Sequence, residues 1–312
     1  MRALLLGMVA FAGLLCAQPG VFTREDLIKY TPDWKGERFP DGRPKVPDSI
    51  LDRMKGVSHE EAWAVLRDAG FNHQYEDGWL ALQPGRVLVG RALTAQWLPG
   101  RPDIHKVILE QGKVDKRIGG QNAWPVDLLQ QRDVYVCDHF GLKQDGPSIG
   151  DNVGNSIYAK TGNGIVYDGA VRDMRGLSEL ENFISFVRFY DPSHHHSELG
   201  PMLNSTLISI NAPIRIGHAT VMPGDVVLGR DGGVIFIPPQ LAEKVVKTAE
   251  IVQLRDAFGH LRLKEGKYTP GQIDARWSDD IEQDFWQWLR ANAGNLPVPK
   301  AQIEELLKER KQ

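Results

Sequence analysis

The chain is 312 residues long, enough for one large domain or two ordinary ones. Its 42% hydrophobic and 25% charged residues describe a globular protein with material for a core, not a disordered or fibrous one. A formal charge of −3, with basic residues scattered rather than striped, excludes the positive field that nucleic-acid binding needs.

The first residues carry the pattern of an export signal. Arg2 supplies the positive charge, "ALLLGMVAFAGLL" the short apolar run, and "LLCAQ" small residues for cleavage after Ala17. Residues 1–17 are therefore expected to be a signal peptide and the protein exported, either periplasmic or secreted. Cys16 follows Leu15, where a lipid-anchor signal wants a small residue. After cleavage Cys137 is the one cysteine left, with no partner for an internal disulfide, and its setting in "DVYVCD" is that of a small core residue. No later stretch approaches the roughly 18 apolar residues of a membrane span.

Residues 18–46, dense in Pro, Gly and charge, read as an extended lead-in along the surface. Two helices follow in "DSILDRMKGVSHEEAWAVLRDAGF". Ser58 caps the second with Glu61 in a capping box, Ala62, Val65 and Leu66 form its apolar face, and Gly70 closes it. Residues 86–98, "RVLVGRALTAQWL", predict a strand broken at Gly90, and "PDIHKVILEQG" predicts a short helix. "DVYVCD" is a buried strand, "GDNVGNSIYAKTG" a helix entered after Gly150 and stopped by Gly162, and "GIVYDGAV" another buried strand. That order is a parallel βαβ unit, which places functional atoms at strand C-termini and helix N-termini. Short strands separated by Ala-Pro, Pro-Gly-Asp and Asp-Gly-Gly turns fill residues 207–238, and a helix over 239–258 closes a domain spanning 47–258. Residues 259–312 are expected to be a helical extension, with Trp277, Trp286 and Trp288 held by packing alone on the body or on another subunit.

Chemistry concentrates in "GDNVGNSIYAKTGNGIVYDGAVRDM". Asp151 opens a helix, and after twenty intervening residues Arg172 and Asp173 stand together. A helix start offers backbone N–H groups and a positive dipole end to an anion, and a guanidinium grips a carboxylate by two hydrogen bonds. An adjacent carboxylate suits a hard divalent cation. Together these would hold a 2-oxo acid such as pyruvate, with aldol cleavage or decarboxylation beside the ketone as the chemistry. Taken singly, each piece has an ordinary reading, as a helix cap or a surface ion pair.

The ordered motifs "VGRALTAQ", "GIVYDGAVRD" and "APIRIGHATVMPGDVVLGRDGGVIFIP" together resemble the family that contains the regulator of ribonuclease activity A and the 4-hydroxy-4-methyl-2-oxoglutarate (HMG/CHA) aldolases. The family's Asp, twenty residues, Arg-Asp signature is met by Asp151, Arg172 and Asp173. The resemblance implies a single α/β core domain of the swivelling β/β/α kind, assembled as a ring trimer or as two such rings in a hexamer. It implies a class II pyruvate aldolase that uses Mg²⁺ or Mn²⁺ on a small 2-oxo acid, with oxaloacetate decarboxylation as a side activity. Gly150, Asp151, Asn152 and Val153 would bind the pyruvyl carboxylate through backbone N–H groups, and Arg172 would orient it. Asp173 would hold the metal, and Asp151 would position a water for proton transfer. The alternative carried by the same family is a non-catalytic, protein-binding regulator. A methyltransferase label attached to some members finds no glycine-rich nucleotide loop here.

Three segments depart from the family pattern. "DNVGNS" replaces a bulkier helix start, which predicts a more open and polar wall at Asn152 and Gly154. "FYDPSHHHSELGPMLNST" replaces a short loop, and the tail after Gly259 is extra. His194, His195 and His196 read as polar loop text, since consecutive residues cannot all face one ion. His218 reads as a half-buried strand residue, and Asp225 and Asp231 as turn formers. Asp168 reads as a turn residue close enough to the Arg-Asp pair to support it.

Overall fold

The computed structural model describes residues 22–309, so the expected signal peptide lies outside the described residues. Helices α1 (Arg24–Tyr30), α2 (Asp48–Met54) and α3 (His59–Asp68) precede two short strands, β1 (Tyr75–Glu76) and β2 (Leu80–Ala81). The long strand β3 (Leu88–Pro99) leads to α4 (Pro102–Val114), α5 (Trp124–Asp127) and β4 (Asp133–Leu142). Then come α6 (Asp151–Thr161), β5 (Ile165–Val171), α7 (Met174–Ser178) and β6 (Ser185–Tyr190). Strands β7 (Ser205–Ile210), β8 (Ile214–Ile216), β9 (Ala219–Val221), β10 (Val226–Arg230) and β11 (Gly233–Ile237) follow. Helices α8 (Ala242–Lys264), α9 (Pro270–Ile273), α10 (Asp279–Asn292) and α11 (Lys300–Glu309) end the chain.

These elements make a mixed α/β domain around one nine-stranded sheet, ordered β1-β11-β10-β3-β4-β5-β6-β2, with β7 also on β3. The centre, β3 to β6, is parallel. Strand β3 pairs with β10 through its first residues and with β7 through its last, so one long strand joins two halves of the sheet. The parallel strands read as continuous apolar runs because both their faces are covered. Along β4, Tyr135 and Cys137 enter the core shared with α4, α5 and α6, while Val134 and Val136 enter the opposite core, sealed by β8 and β9. Cys137 is fully buried.

Gly90 does not break β3. It pairs with Val227 inside the strand, where a Cβ would stand 2.5 Å from the Arg132 carbonyl oxygen, so a close backbone approach explains the glycine. The Ser58–Glu61 capping box, worth about 1 kcal/mol, is formed, and Ala62, Val65 and Leu66 are buried. The stretch expected to be extended contains α1, started by a Thr23–Asp26 capping box. It is also anchored inward. The Arg43 side chain is fully buried, 2.9 Å from the equally buried Asp133.

Helix α8 runs past 258 to Lys264, through Gly259, whose bare Cα lets Ile273 of α9 approach. The terminal helices pack on the far half of α8: Leu254 and Phe258 share a core with Trp277, Phe285, Trp288 and Ile303. Packing is not the whole account of the tryptophans, because the Arg255 guanidinium stacks 3.8 Å from the Trp277 ring centre. Among the described residues no helix is long and apolar enough to cross a membrane.

Candidate active site

The two parts of the Asp151 to Asp173 motif are joined directly. Ile149, just before α6, forms a β-bridge with Val171 at the end of β5, and the Arg172 N–H donates to the Ile149 carbonyl at 3.0 Å. The strand end and helix start are thus one rigid corner. Asp173 then turns the chain with φ +56°, a left-handed conformation that aspartate tolerates better than most residues. The turn lays the Asp173 carboxylate back over Gly150. A Cβ at Gly150 would stand 2.3 Å from Asp173 Oδ2, so a side chain at position 150 would push that carboxylate aside. The Asp151 N–H donates to that oxygen at 3.3 Å, and Arg172 Nε lies 3.7 Å from it.

Beside this corner opens a cleft of about 950 Å³. One wall is Gly150, Asn152, Val153 and Arg172; Ser148, Gln121 and Asn122 extend it inward; residues 194–202 form the facing wall. The structure therefore brings four of the six expected site residues onto one surface. Asp151 and Asp173 sit beyond the lining, at the corner. Asp151 Oδ1 accepts from its neighbour's Asn152 N–H at 2.8 Å, so two of the backbone donors expected to receive a substrate carboxylate, those of Asp151 and Asn152, already face protein carboxylates. Arg172, one-third exposed, is the cationic side chain of the lining that could grip an anion.

Gly154 does not open the wall. It lies on the buried side of α6, where a Cβ would stand 2.2 Å from Leu177 Cδ2, so the glycine there serves helix packing. Of the "DNVGNS" departure, Asn152 and Val153 line the cleft. The histidine run is more than loop text: His194, His195 and His196 all line the cleft, and His195 Nε2 lies 2.6 Å from Ser205 Oγ. Burial lowers the His195 imidazole to about 4, with the neighbouring His196 acting in the same direction, so the ring is neutral at ordinary pH. Gln121 carries no sequence signal, yet its Oε1 accepts from the Leu207 N–H at 2.8 Å while its buried amide nitrogen has no protein partner.

Asp168 serves another part of the sheet. It pairs with Arg188 at 2.9 Å, and Arg188 also holds Glu76 at 2.7 Å, so its partner is not Arg172. His218 sits on the β8–β9 turn with its side chain 91% exposed, not half-buried in a strand. Asp225 is buried and accepts from the Met222 N–H at 2.8 Å, and Asp231 adopts φ +48°; both shape turns.

The Asp173 carboxylate is the group at the corner that could hold a divalent cation. The carboxylate of Asp173 is oxygen-only, partly exposed and fixed over Gly150. Among the described residues no cluster of three or more His, Cys, Asp or Glu side chains is placed to hold a metal. A cation there would take one protein carboxylate and several waters, a balance that Mg²⁺ favours.

Comparison with known proteins adds family to geometry. A protein of Halalkalibacterium halodurans named "Putative 4-hydroxy-4-methyl-2-oxoglutarate aldolase" is 33% identical over 93 residues, covering 30% of this chain and 40% of that protein. "Protein DlpA" of Legionella pneumophila is 22% identical over 242 residues, covering 76% of this chain and 35% of that protein. The chain thus matches well under half the length of either curated relative. The crystal structure of Streptomyces coelicolor RraAS2, titled an unusual member of the RNase ES inhibitor RraA protein family, shares the fold. Its TM-score is 0.57 at 24% identity, over 70% of this chain and 98% of that one. The family model described as "RraA-like: Aldolase/RraA" matches residues 49–236, more than half of the chain, and the protein belongs to that family.

Proposed function

We propose that this protein is a divalent-metal-dependent lyase of the pyruvate aldolase type. It would cleave a 4-hydroxy-2-oxo acid, such as 4-hydroxy-4-methyl-2-oxoglutarate, to pyruvate and a second carbonyl compound. The observation that carries the reading is the corner itself: Arg172 faces the cleft beside Gly150 while Asp173, one residue on, is locked over that same glycine. An anion grip and a cation ligand on adjacent residues match the two ends of a 2-oxo acid.

In this mechanism Arg172 binds the substrate carboxylate through its planar fork and fixes the 2-oxo group toward Asp173. Asp173 would hold Mg²⁺ or Mn²⁺, and the ion, when bound, supplies Lewis-acid stabilisation of the negative charge that develops on the 2-oxo oxygen. Asn152 and Val153 shape the wall against which the pyruvyl half lies. The facing wall, residues 194–202, would receive the other half. Leu199 and Met202 there are more than half exposed, an apolar surface suited to carbon substituents at C4. The same corner would support oxaloacetate decarboxylation, which also develops enolate charge. Assembly as a ring trimer of swivelling β/β/α domains, or a hexamer, belongs to the same reading; sedimentation measures it.

The test is pyruvate release from a panel of 4-hydroxy-2-oxo acids with Mg²⁺ or Mn²⁺. The wild type is expected to be active and Arg172→Ala and Asp173→Ala deficient; activity indifferent to both changes sinks the proposal. A protein that neither binds metal nor releases pyruvate, yet captures a protein partner stably, would instead be a non-catalytic regulator.

A further inference from the structure

Behind the cleft runs a chain of polar side chains that the corner does not explain. Ser148 Oγ lies 2.5 Å from the Tyr167 hydroxyl, which lies 2.6 Å from His139 Nδ1. His139 Nε2 lies 3.1 Å from Ser205 Oγ, and Ser205 Oγ lies 2.6 Å from His195 Nε2. Tyr167, His139 and Ser205 are each fully buried, in an apolar core where hydrocarbon side chains would pack at no desolvation cost. Both ends of the chain, Ser148 and His195, line the same cleft, the first on the Arg172 side and the second on the facing wall.

Hydrogen-bond counting gives the chain a direction. A neutral imidazole has one N–H and one bare nitrogen, and a hydroxyl has one hydrogen. If His139 Nδ1–H donates to Tyr167, then Tyr167 donates to Ser148, Ser205 donates to His139 Nε2, and His195 Nε2–H donates to Ser205. The other tautomer of His139 reverses every bond. Either way each link carries one proton that can move one step along. Burial holds His139 and His195 in the neutral form and keeps the Tyr167 phenol protonated, so no link is a buried ion.

We propose that Ser148, Tyr167, His139, Ser205 and His195 form a proton relay linking the two walls of the cleft. The proposal rests on the lyase reading. In aldol cleavage the 4-hydroxyl loses a proton, the C3–C4 bond breaks, its electron pair becomes the enolate of pyruvate, and C3 gains a proton. One proton therefore travels from the C4 half of the substrate to the pyruvyl half, and no oxidant or reductant is needed. His195 takes it from the 4-hydroxyl on the free ring nitrogen and passes its Nε2 proton to Ser205. Ser205 passes one to His139 Nε2, His139 Nδ1 to Tyr167, and Tyr167 to Ser148, which delivers to C3. Ser148 and His195 are the ends that meet substrate; Tyr167, His139 and Ser205 act through them.

The experiment uses the metal-loaded full chain with two conservative variants, Tyr167→Phe and Ser205→Ala, each removing one hydroxyl. With 4-hydroxy-4-methyl-2-oxoglutarate as substrate, kcat is expected to fall about 100-fold in each, the scale of a lost acid–base function, with KM within about twofold. The plot of kcat against deuterium fraction, bowed in the wild type by several protons in flight, is expected to become linear. Active wild type with kcat and curvature unchanged in both variants overturns the relay and leaves the lyase reading intact. A fall in kcat accompanied by lowered Tm and unchanged curvature assigns the chain a structural role and also overturns it. A wild type that releases no pyruvate from any panel substrate overturns the lyase reading and the relay with it.

Discussion

The two walls of the cleft are built on opposite principles. The Arg172 wall is backbone-determined: a β-bridge, a left-handed aspartate and a glycine close under the Asp173 carboxylate set it within one corner of the sheet. The facing wall is a loop, residues 194–202, tied to the sheet through the His195–Ser205 contact, with Leu199 and Met202 among its exposed side chains. A rigid corner can serve one invariant fragment, and a loop can be rewritten without disturbing it. In the proposed reaction pyruvate is the invariant fragment and the second carbonyl compound the variable one.

That division can be broken or sharpened by mutation. Asp173→Ala removes the proposed cation ligand and is expected to cost about a thousandfold in kcat/KM, several kcal/mol of transition-state stabilisation, with Mg²⁺ affinity by calorimetry falling in parallel. Arg172→Ala leaves the substrate carboxylate without its guanidinium; steady-state kinetics should show a loss of about 100-fold in kcat/KM, the scale of a charged hydrogen bond. Gly150→Ala is the sharper probe. Its φ of −125° suits alanine, so the change acts through the methyl group's contacts, chiefly with Asp173 Oδ2 and less closely with the Arg172 side chain. About tenfold lower activity is expected at a Tm within a few degrees of wild type; full activity would show that Asp173 need not lie where it does. On the loop, Leu199→Ser combined with Met202→Ser should shift the preference between C4-methyl and C4-unsubstituted substrates about threefold, while pyruvate inhibition stays constant. A change in pyruvate affinity instead would dissolve the distinction between the walls.

The sequence was most legible where one residue type has one local use. Ser58 with Glu61, Gly162 as a helix stop and the buried apolar run of β4 follow from local rules, and the strands and helices around the site form as read. It was least legible where a glycine answers to something distant. Gly90, Gly154 and Gly259 read as a break, an opening and an end, yet each is a close contact with a partner 14 to 73 residues away that only folding brings near. The candidate site shows the same divide. Arg172 and Asp173 carry a spacing signal, but Ser148, Tyr167, His139 and Ser205 are scattered over 67 positions with ordinary neighbours, and nothing short of three dimensions joins them. Asp168 misled for the converse reason: nearness in sequence to Arg172 did not make it a partner, because strand alternation sends it to Arg188.

One consequence belongs to α8. Its first turns, with Val245, Val246 and Ala249, are packed into the body against α2 and α3, and its last turns carry Leu254 and Phe258 into the core of the terminal helices. A single unbroken rod thus serves as a shared spine. The tail is not a passenger on an independent domain: shortening the chain at 258 would leave two large apolar side chains on a bare, sticky surface, and loosening the tail would be felt along the rod by the helices that brace the central sheet.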